Sequence, residues 1–309
     1  MAYSLSEINE AVRSDPKGFC RRCDEEFQKK VQTAAEKIAA HRGQSHIVLL
    51  SGPSGSGKTT TAMKIEDALE AMGVETHTVS MDNYFNTIDP ETAPRNREGA
   101  IDYESPFCLD IELLNRHFAM LDRGETIHVP KYEFARQMRS DIMSQPMHLG
   151  EDEIAIFEGI HALNDIIIGK NPNAFKLYIA ARSNVVDDGK VIFDHAWLRL
   201  CRRIVRDHKF RGSNAEFTMK MWDNVRRGEK LYISPYKENA DLMFDSSLAC
   251  EFSVLKPYVV PLLEELPRGK YPVADQILEA YEKIEGMDDT YLAPDSLARE
   301  FVGGSTYTY

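Results

Sequence analysis

The chain has 309 residues, 43% of them hydrophobic, which suits one large α/β domain or two small ones around a sizeable core. Its 37 basic and 49 acidic residues leave a net charge of −12, which argues against a nucleic-acid-binding surface as its main business. No apolar run approaches membrane-spanning length, residues 1–10 lack a basic-then-apolar leader pattern, and five cysteines, an odd number, read as reduced thiols; a cytoplasmic protein is expected.

In chain order, residues 1–45 read as a helical lead-in. Phe27, Val31, Ala34, Ala35 and Ile38 form a helical stripe that ends at His41-Arg42-Gly43. Cys20 and Cys23 make a lone C-R-R-C without a second pair at zinc-finger spacing, so they read as free thiols on a helix. Residues 46–50 are a short apolar run, expected to be a buried strand. The octet Gly52-Pro53-Ser54-Gly55-Ser56-Gly57-Lys58-Thr59 follows and fits G-x-x-x-x-G-K-[ST]. Residues 59–72 then read as a helix with Ala62, Ile65, Ala68, Leu69 and Met72 on one face and Gly73 as its stop. Strand, glycine loop and helix are what phosphate binding requires. The glycines let backbone N–H groups of Gly52 to Thr60 turn toward an anion, and the helix start adds partial positive charge. Lys58 is placed to reach the β- and γ-phosphates of ATP, and the Thr59 hydroxyl to ligate Mg²⁺.

Further strands are expected over 74–80, 153–157, 175–180 and 241–245, and helices over 108–121, 194–209 and 214–227. A polar loop spans 82–100. Residues 126–130 and 147–150 flank a hairpin or excursion, and the C-terminal third reads as mostly helical (251–263, 273–284) before a Gly-Gly-Ser tail. Strands alternating with helices imply a doubly wound, mostly parallel sheet with helices on both faces, the P-loop NTPase type. The expected division is an N-terminal helical extension (1–45), a P-loop domain (46–265) and a C-terminal helical extension packed on the core (266–309).

Three features narrow the chemistry. No N-K-x-D guanine signature occurs. Asp82 lies just past the second strand, and ligands of open α/β sheets bind beyond the carboxyl ends of strands, so Asp82 is placed to accept a proton from an attacking hydroxyl. Glu158 ends another apolar strand and is a candidate Mg²⁺ support, directly or through water. On a helix through 197–207, Arg199, Arg202, Arg203 and Arg206 fall within roughly 100°, opposite an apolar face. In so acidic a chain this stripe, with Arg211 after it, suggests a phosphate-facing lid, one or two of whose arginines pair with acids such as Asp194 or Asp207.

These residues resemble the uridine kinase and phosphoribulokinase family of P-loop kinases over roughly 46–265. The phosphate loop is followed in order by Ser80-Met81-Asp82-Asn83-Tyr84-Phe85, Asp102-Tyr103-Glu104-Ser105-Pro106, Pro130-Lys131-Tyr132-Glu133-Phe134, Phe157-Glu158-Gly159-Ile160-His161 and Arg202-Arg203-Ile204-Val205-Arg206-Asp207. The likeness is closest to bacterial uridine kinase-like proteins, including a closing segment like Ser296-Leu297-Ala298-Arg299-Glu300-Phe301-Val302-Gly303-Gly304. The resemblance implies Asp82 as catalytic base, Lys58 and Thr59 on phosphates and Mg²⁺, Glu158 as metal support, and Arg206 and Arg211 as lid arginines, with Arg203 on the substrate. It also implies that Tyr132 and Phe134, with Tyr103, wall a nucleoside base. Two positions depart from it. Glu104 stands where uridine kinases carry a ribose-binding Asp, and Gln137 where they carry a histidine that contacts the pyrimidine. His161 is an extra candidate for the acceptor site. The resemblance implies ATP- and Mg²⁺-dependent phosphoryl transfer to a small hydroxylated acceptor, expected to be the 5′-hydroxyl of a nucleoside, and a homo-oligomer. A sugar phosphate is an alternative acceptor, for which Lys131, Arg136 and Arg139 supply charge; a catalytically silent nucleotide-binding regulator is another alternative.

Overall fold

The computed structural model describes residues 2–133, 136–142 and 146–308. Strand β1 (Ala2–Ser4) and helices α1 (Leu5–Ser14) and α2 (Pro16–His41) precede β2 (Ile47–Ser51), α3 (Lys58–Ala71) and β3 (Thr76–Ser80). Helix α4 (Ile111–Asp122) leads into four short strands, β4 (Ile127–His128), β5 (Tyr132–Glu133), β6 (Met138–Arg139) and β7 (Pro146–Met147). Next come β8 (Ile154–Glu158), α5 (Asp165–Ile168), β9 (Phe175–Ala180), β10 (Asn184–Asp187) and β11 (Lys190–Phe193). Helices α6 (His195–Phe210) and α7 (Ala215–Gly228), strand β12 (Leu242–Asp245), and helices α8 (Glu251–Glu264), α9 (Pro272–Lys283) and α10 (Arg299–Val302) complete the chain.

The central sheet runs β12-β9-β2-β8-β3 and every pair is parallel. Side chains of β2 alternate between two cores. Val48 and Leu50 pack with α2, α3, α6 and α8, whereas Ile47 and Leu49 pack with Leu114 and Phe118 of α4. Burial on both faces is why the strands read as continuous apolar runs rather than alternating ones. The register aligns Leu50 and Ser80 with Glu158. The carboxyl ends of β2, β3 and β8 therefore share one edge, and the chain leaves that edge as the phosphate loop, the turn bearing Asp82, and Glu158.

The expected architecture holds, with three differences. Strand β3 starts at Thr76, not 74, because the Val74 N–H is bound to the Leu69 carbonyl in the turn that ends α3. The lead-in is not wholly helical: β1 pairs in parallel with β10, which forms an antiparallel hairpin with β11 through Asp188 (φ +47°) and Gly189 (φ +78°). That Asp-Gly pair is a hairpin signal the helix-and-strand periodicity passed over. The C-terminal extension is less helical than expected. Beyond α9 it is mostly irregular, yet Leu297, Phe301 and Val302 are buried. The excursion pairs β4 with β7 and β5 with β6. No described helix is long and apolar enough to cross a membrane, and all five cysteines are free and buried.

Candidate active site

The phosphate loop between β2 and α3 is shaped by close approach and by its carbonyl partners. A Cβ on Gly52 would collide with the Ile179 carbonyl of β9, and Gly55 and Gly57 take φ of +76° and +78°, where any side chain would be strained. The loop's carbonyls are held from outside. Arg199 Nη1 donates to Ser54 O (3.3 Å), Arg202 Nη1 to Gly55 O (3.1 Å), and Ser246 Oγ to Ser56 O (2.5 Å). Arg203 also donates to Ser54 Oγ. The Ser56 N–H closes a turn onto the Pro53 carbonyl (3.1 Å), while Gly57 precedes α3 without a side-chain cap, leaving the first-turn N–H groups of the helix to face an anion. Ser56 Oγ is buried without a hydrogen-bond partner among the described residues. The loop therefore fits phosphate groups.

This divides the arginine stripe of α6. Arg199 and Arg202 do not present charge to the site. Both are essentially unexposed, and they pair with Glu229 (2.6 Å) and Glu251 (2.6 Å) while shaping the loop. Arg203 and Arg206 turn toward Asp207, as does Arg211, at 3.8, 2.7 and 3.8 Å. Three guanidinium groups on one carboxylate leave surplus positive charge. Arg206 and Arg211 line a cavity of about 610 Å³ together with Thr59, Ser80, Asp82 and Glu158.

Burial pushes the Asp82 carboxyl above the usual aspartate range, against the pull of Lys58 and Arg211. Burial likewise raises Glu158 to about 7; Lys58 opposes this and Asp82 adds to it. The Glu158 carboxylate and the Thr59 hydroxyl offer oxygen donors on one wall of this cavity, which fits Mg²⁺. Lys58→Ala removes the cation both acids face. It should weaken nucleotide binding and turnover together, which titration with ADP and steady-state kinetics will check; unchanged values for both would contradict the phosphate-loop assignment.

Glu104 lies within the electrostatic reach of Asp82 and Arg203. Burial raises it to about 7. A Cβ on Gly228 of α7 would strike the Glu104 side chain, so that close approach fixes where the carboxylate stands. Buried Asp102 accepts from Arg227 Nη2 (2.7 Å) and the Tyr232 hydroxyl (2.9 Å), tying the segment to α7. The Tyr232 ring meets His161 edge-on at 6.4 Å. His161 is 1% exposed and its ring nitrogens have no well-formed hydrogen bond among the described residues; burial lowers it to about 4, against the main chains of Tyr232 and Glu104, so it is neutral at pH 7.

The aromatic wall is less gathered. Tyr132 is buried against Phe85 (5.5 Å) and Tyr103 is 42% exposed. Gln137 sits exposed at the β5–β6 turn with φ +50°, its carbonyl accepting from Ile88 N–H, and does not line the cavity. Phe134 lies outside the described residues. Sequence reasoning quoted Asp102 and Glu300 within motifs but gave them no role, and it did not single out Arg227, Tyr232 or Ser246; Glu300 also lines the cavity, and the partners of these residues lie far along the chain.

A parallel sheet that opens onto a glycine-shaped loop faced by acids and arginines is the arrangement of the P-loop phosphotransferase class. The phosphoribulokinase / uridine kinase family model matches residues 47–251, and the chain belongs to that family. A uridine kinase of Macrococcus caseolyticus (strain JCSC5402) is 31% identical over 201 residues, 64% of this chain and 86% of that protein. A uridine kinase of Saccharomyces cerevisiae (strain ATCC 204508 / S288c) is 26% identical over 202 residues, 65% of this chain but only 37% of that protein. Among solved structures, a putative fructose transport system kinase from Silicibacter sp. TM1040 is similar at 23% identity and a TM-score of 0.45, covering 64% of this chain and 88% of that one.

Proposed function

We propose that the protein transfers the γ-phosphoryl group of ATP to a hydroxyl of a small, neutral, polyhydroxylated acceptor, most simply the 5′-hydroxyl of a nucleoside. The observation that carries this is the single cavity on which Thr59, Asp82, Glu158, Arg206 and Arg211 converge at the carboxyl edge of the sheet. The loop N–H groups and Lys58 hold the β- and γ-phosphates. Asp82 orients the acceptor hydroxyl and takes its proton as the new P–O bond forms. Arg206 and Arg211 neutralise charge on the group in transit, and the lid helices α6 and α7 keep water away from it. Thr59 and Glu158 would hold Mg²⁺, which would supply charge neutralisation to the phosphate groups.

A neutral acceptor is favoured over a sugar phosphate by the pairing of the basic residues. Arg136 is bound to Glu133 (3.1 Å) and Arg139 to Asp110 (3.0 Å), while Lys131 is exposed. Glu104, a half-buried carboxylate, and neutral His161 suit hydroxyl groups rather than a second phosphate. ADP release should be measured with ATP·Mg²⁺ against uridine, cytidine, the purine nucleosides and ribulose 5-phosphate. Turnover on a nucleoside is the expected result. Turnover confined to the sugar phosphate would overturn the acceptor assignment, and silence throughout would favour a nucleotide-binding regulator.

A further inference from the structure

The C-terminal segment crosses the mouth of the phosphate loop. Asp295 accepts from Lys64 of α3 (2.6 Å), and a Cβ on Gly57 would come within 2.6 Å of Leu297 Cδ1. The Arg202 guanidinium, which shapes the loop, lies over the Phe301 ring at 5.0 Å. Lys209 at the end of α6 donates to Val302 O (2.7 Å), and Tyr307 donates to Asp67 of α3 (2.5 Å). Arg299 holds the segment's own bend by donating to the carbonyls of Asp289 (2.8 Å) and Leu292 (3.1 Å). The segment is thus anchored on both helices that border the donor side of the cavity.

Within it, Glu300 Oε2 accepts from Thr60 Oγ1 at 2.5 Å. Thr60 is in the first turn of α3, where uncapped N–H groups and the helix dipole favour an anion. Glu300 also lines the same cavity as Thr59, Asp82 and Glu158, and it interacts electrostatically with Glu158 and Arg211. A fixed carboxylate therefore stands where the loop gathers phosphate charge.

We infer that Glu300 sets donor affinity: it is an internal anion, seated on Thr60, that competes with nucleotide phosphates for the first turn of α3. The inference rests on the reading that the loop binds a nucleotide. Its sign follows from charge. Like charges a few ångströms apart repel, so nucleotide entry requires Glu300 to turn away or to tolerate the repulsion. A carboxylate recruited to bind the donor through a metal would give the opposite sign, so binding is measured with ADP in the absence of Mg²⁺.

Glu300→Gln keeps the side chain's shape and an oxygen for the Thr60 hydroxyl, and it leaves Leu297 and Phe301 in the core. Its ADP dissociation constant should fall by roughly tenfold, a gain that shrinks at high salt. The KM for ATP should fall with it, while the KM for acceptor stays unchanged. Thermal unfolding of this variant and of Glu300→Ala, measured alongside, separates an affinity change from loss of fold. Unchanged or weaker ADP binding by folded Glu300→Gln, with Lys58→Ala still weakening it, overturns the competitor role alone. If Lys58→Ala also leaves ADP binding untouched, the nucleotide reading beneath it falls as well.

Discussion

Replacing Asp82 with asparagine should lower turnover by about 10²- to 10⁴-fold while leaving ATP binding nearly intact. The substitution preserves local structure. The 3₁₀ turn at residues 81–84 is held by main-chain groups of residue 82, whose N–H donates to Ser80 Oγ (3.4 Å) and whose carbonyl accepts from Phe85 N–H (3.3 Å). Asparagine keeps both bonds and the side chain's volume but cannot take a proton. Burial raises the native carboxyl, against the pull of Lys58 and Arg211, which makes it a better proton acceptor than a surface aspartate. The check is kcat and both KM values alongside an ADP titration. Near-normal kcat would remove Asp82 from the base role, and a large loss of ADP affinity with modest loss of kcat would make it a phosphate-site residue.

The second large effect is structural. Arg202 and Glu251 are both fully buried, joined by Nε–Oε1 (2.7 Å) and Nη2–Oε2 (2.6 Å) contacts. Arg202 also donates to the carbonyls of Ser246 (2.9 Å) and Gly55 (3.1 Å). Arg202→Met leaves Glu251 charged and unpaired in the interior and should cost about 3–5 kcal/mol, read as a lowered urea midpoint. The Arg202→Met/Glu251→Leu double variant removes both charges and should recover most of that stability, because a buried pair often contributes little net over apolar replacements. It should not recover nucleotide affinity, because Gly55 O has lost the donor that holds the loop's N–H groups inward. Recovery of both would show that Arg202 serves the core only; recovery of neither would point to a further role for the pair.

How much was legible in the sequence follows from how local each signal is. The phosphate loop, the flanking strand and helix, and the strand-end placement of Asp82 and Glu158 depend on short spacings and on the common edge of a parallel sheet. Periodicity placed the arginines of α6 on one arc but could not assign their partners. Glu229 and Glu251 lie 30 and 49 residues beyond Arg199 and Arg202, and their carboxylates turn two of the stripe's charges inward. The seat of Glu300 on Thr60 spans 240 residues, so neither periodicity nor motif could reveal it. The β10–β11 hairpin was readable from Asp188-Gly189 but is short and followed at once by a strong helix pattern. Gln137 drew attention by its position in a motif, yet the left-handed turn that closes β5 and β6 leaves it exposed.

The most direct test of the account is mass spectrometry of the products when the full chain is given ATP, Mg²⁺ and uridine. Equimolar ADP and nucleoside 5′-monophosphate, with little inorganic phosphate, is the predicted result. ADP with inorganic phosphate and unmodified uridine would contradict it, because the cavity would then activate water rather than position an acceptor hydroxyl at Asp82.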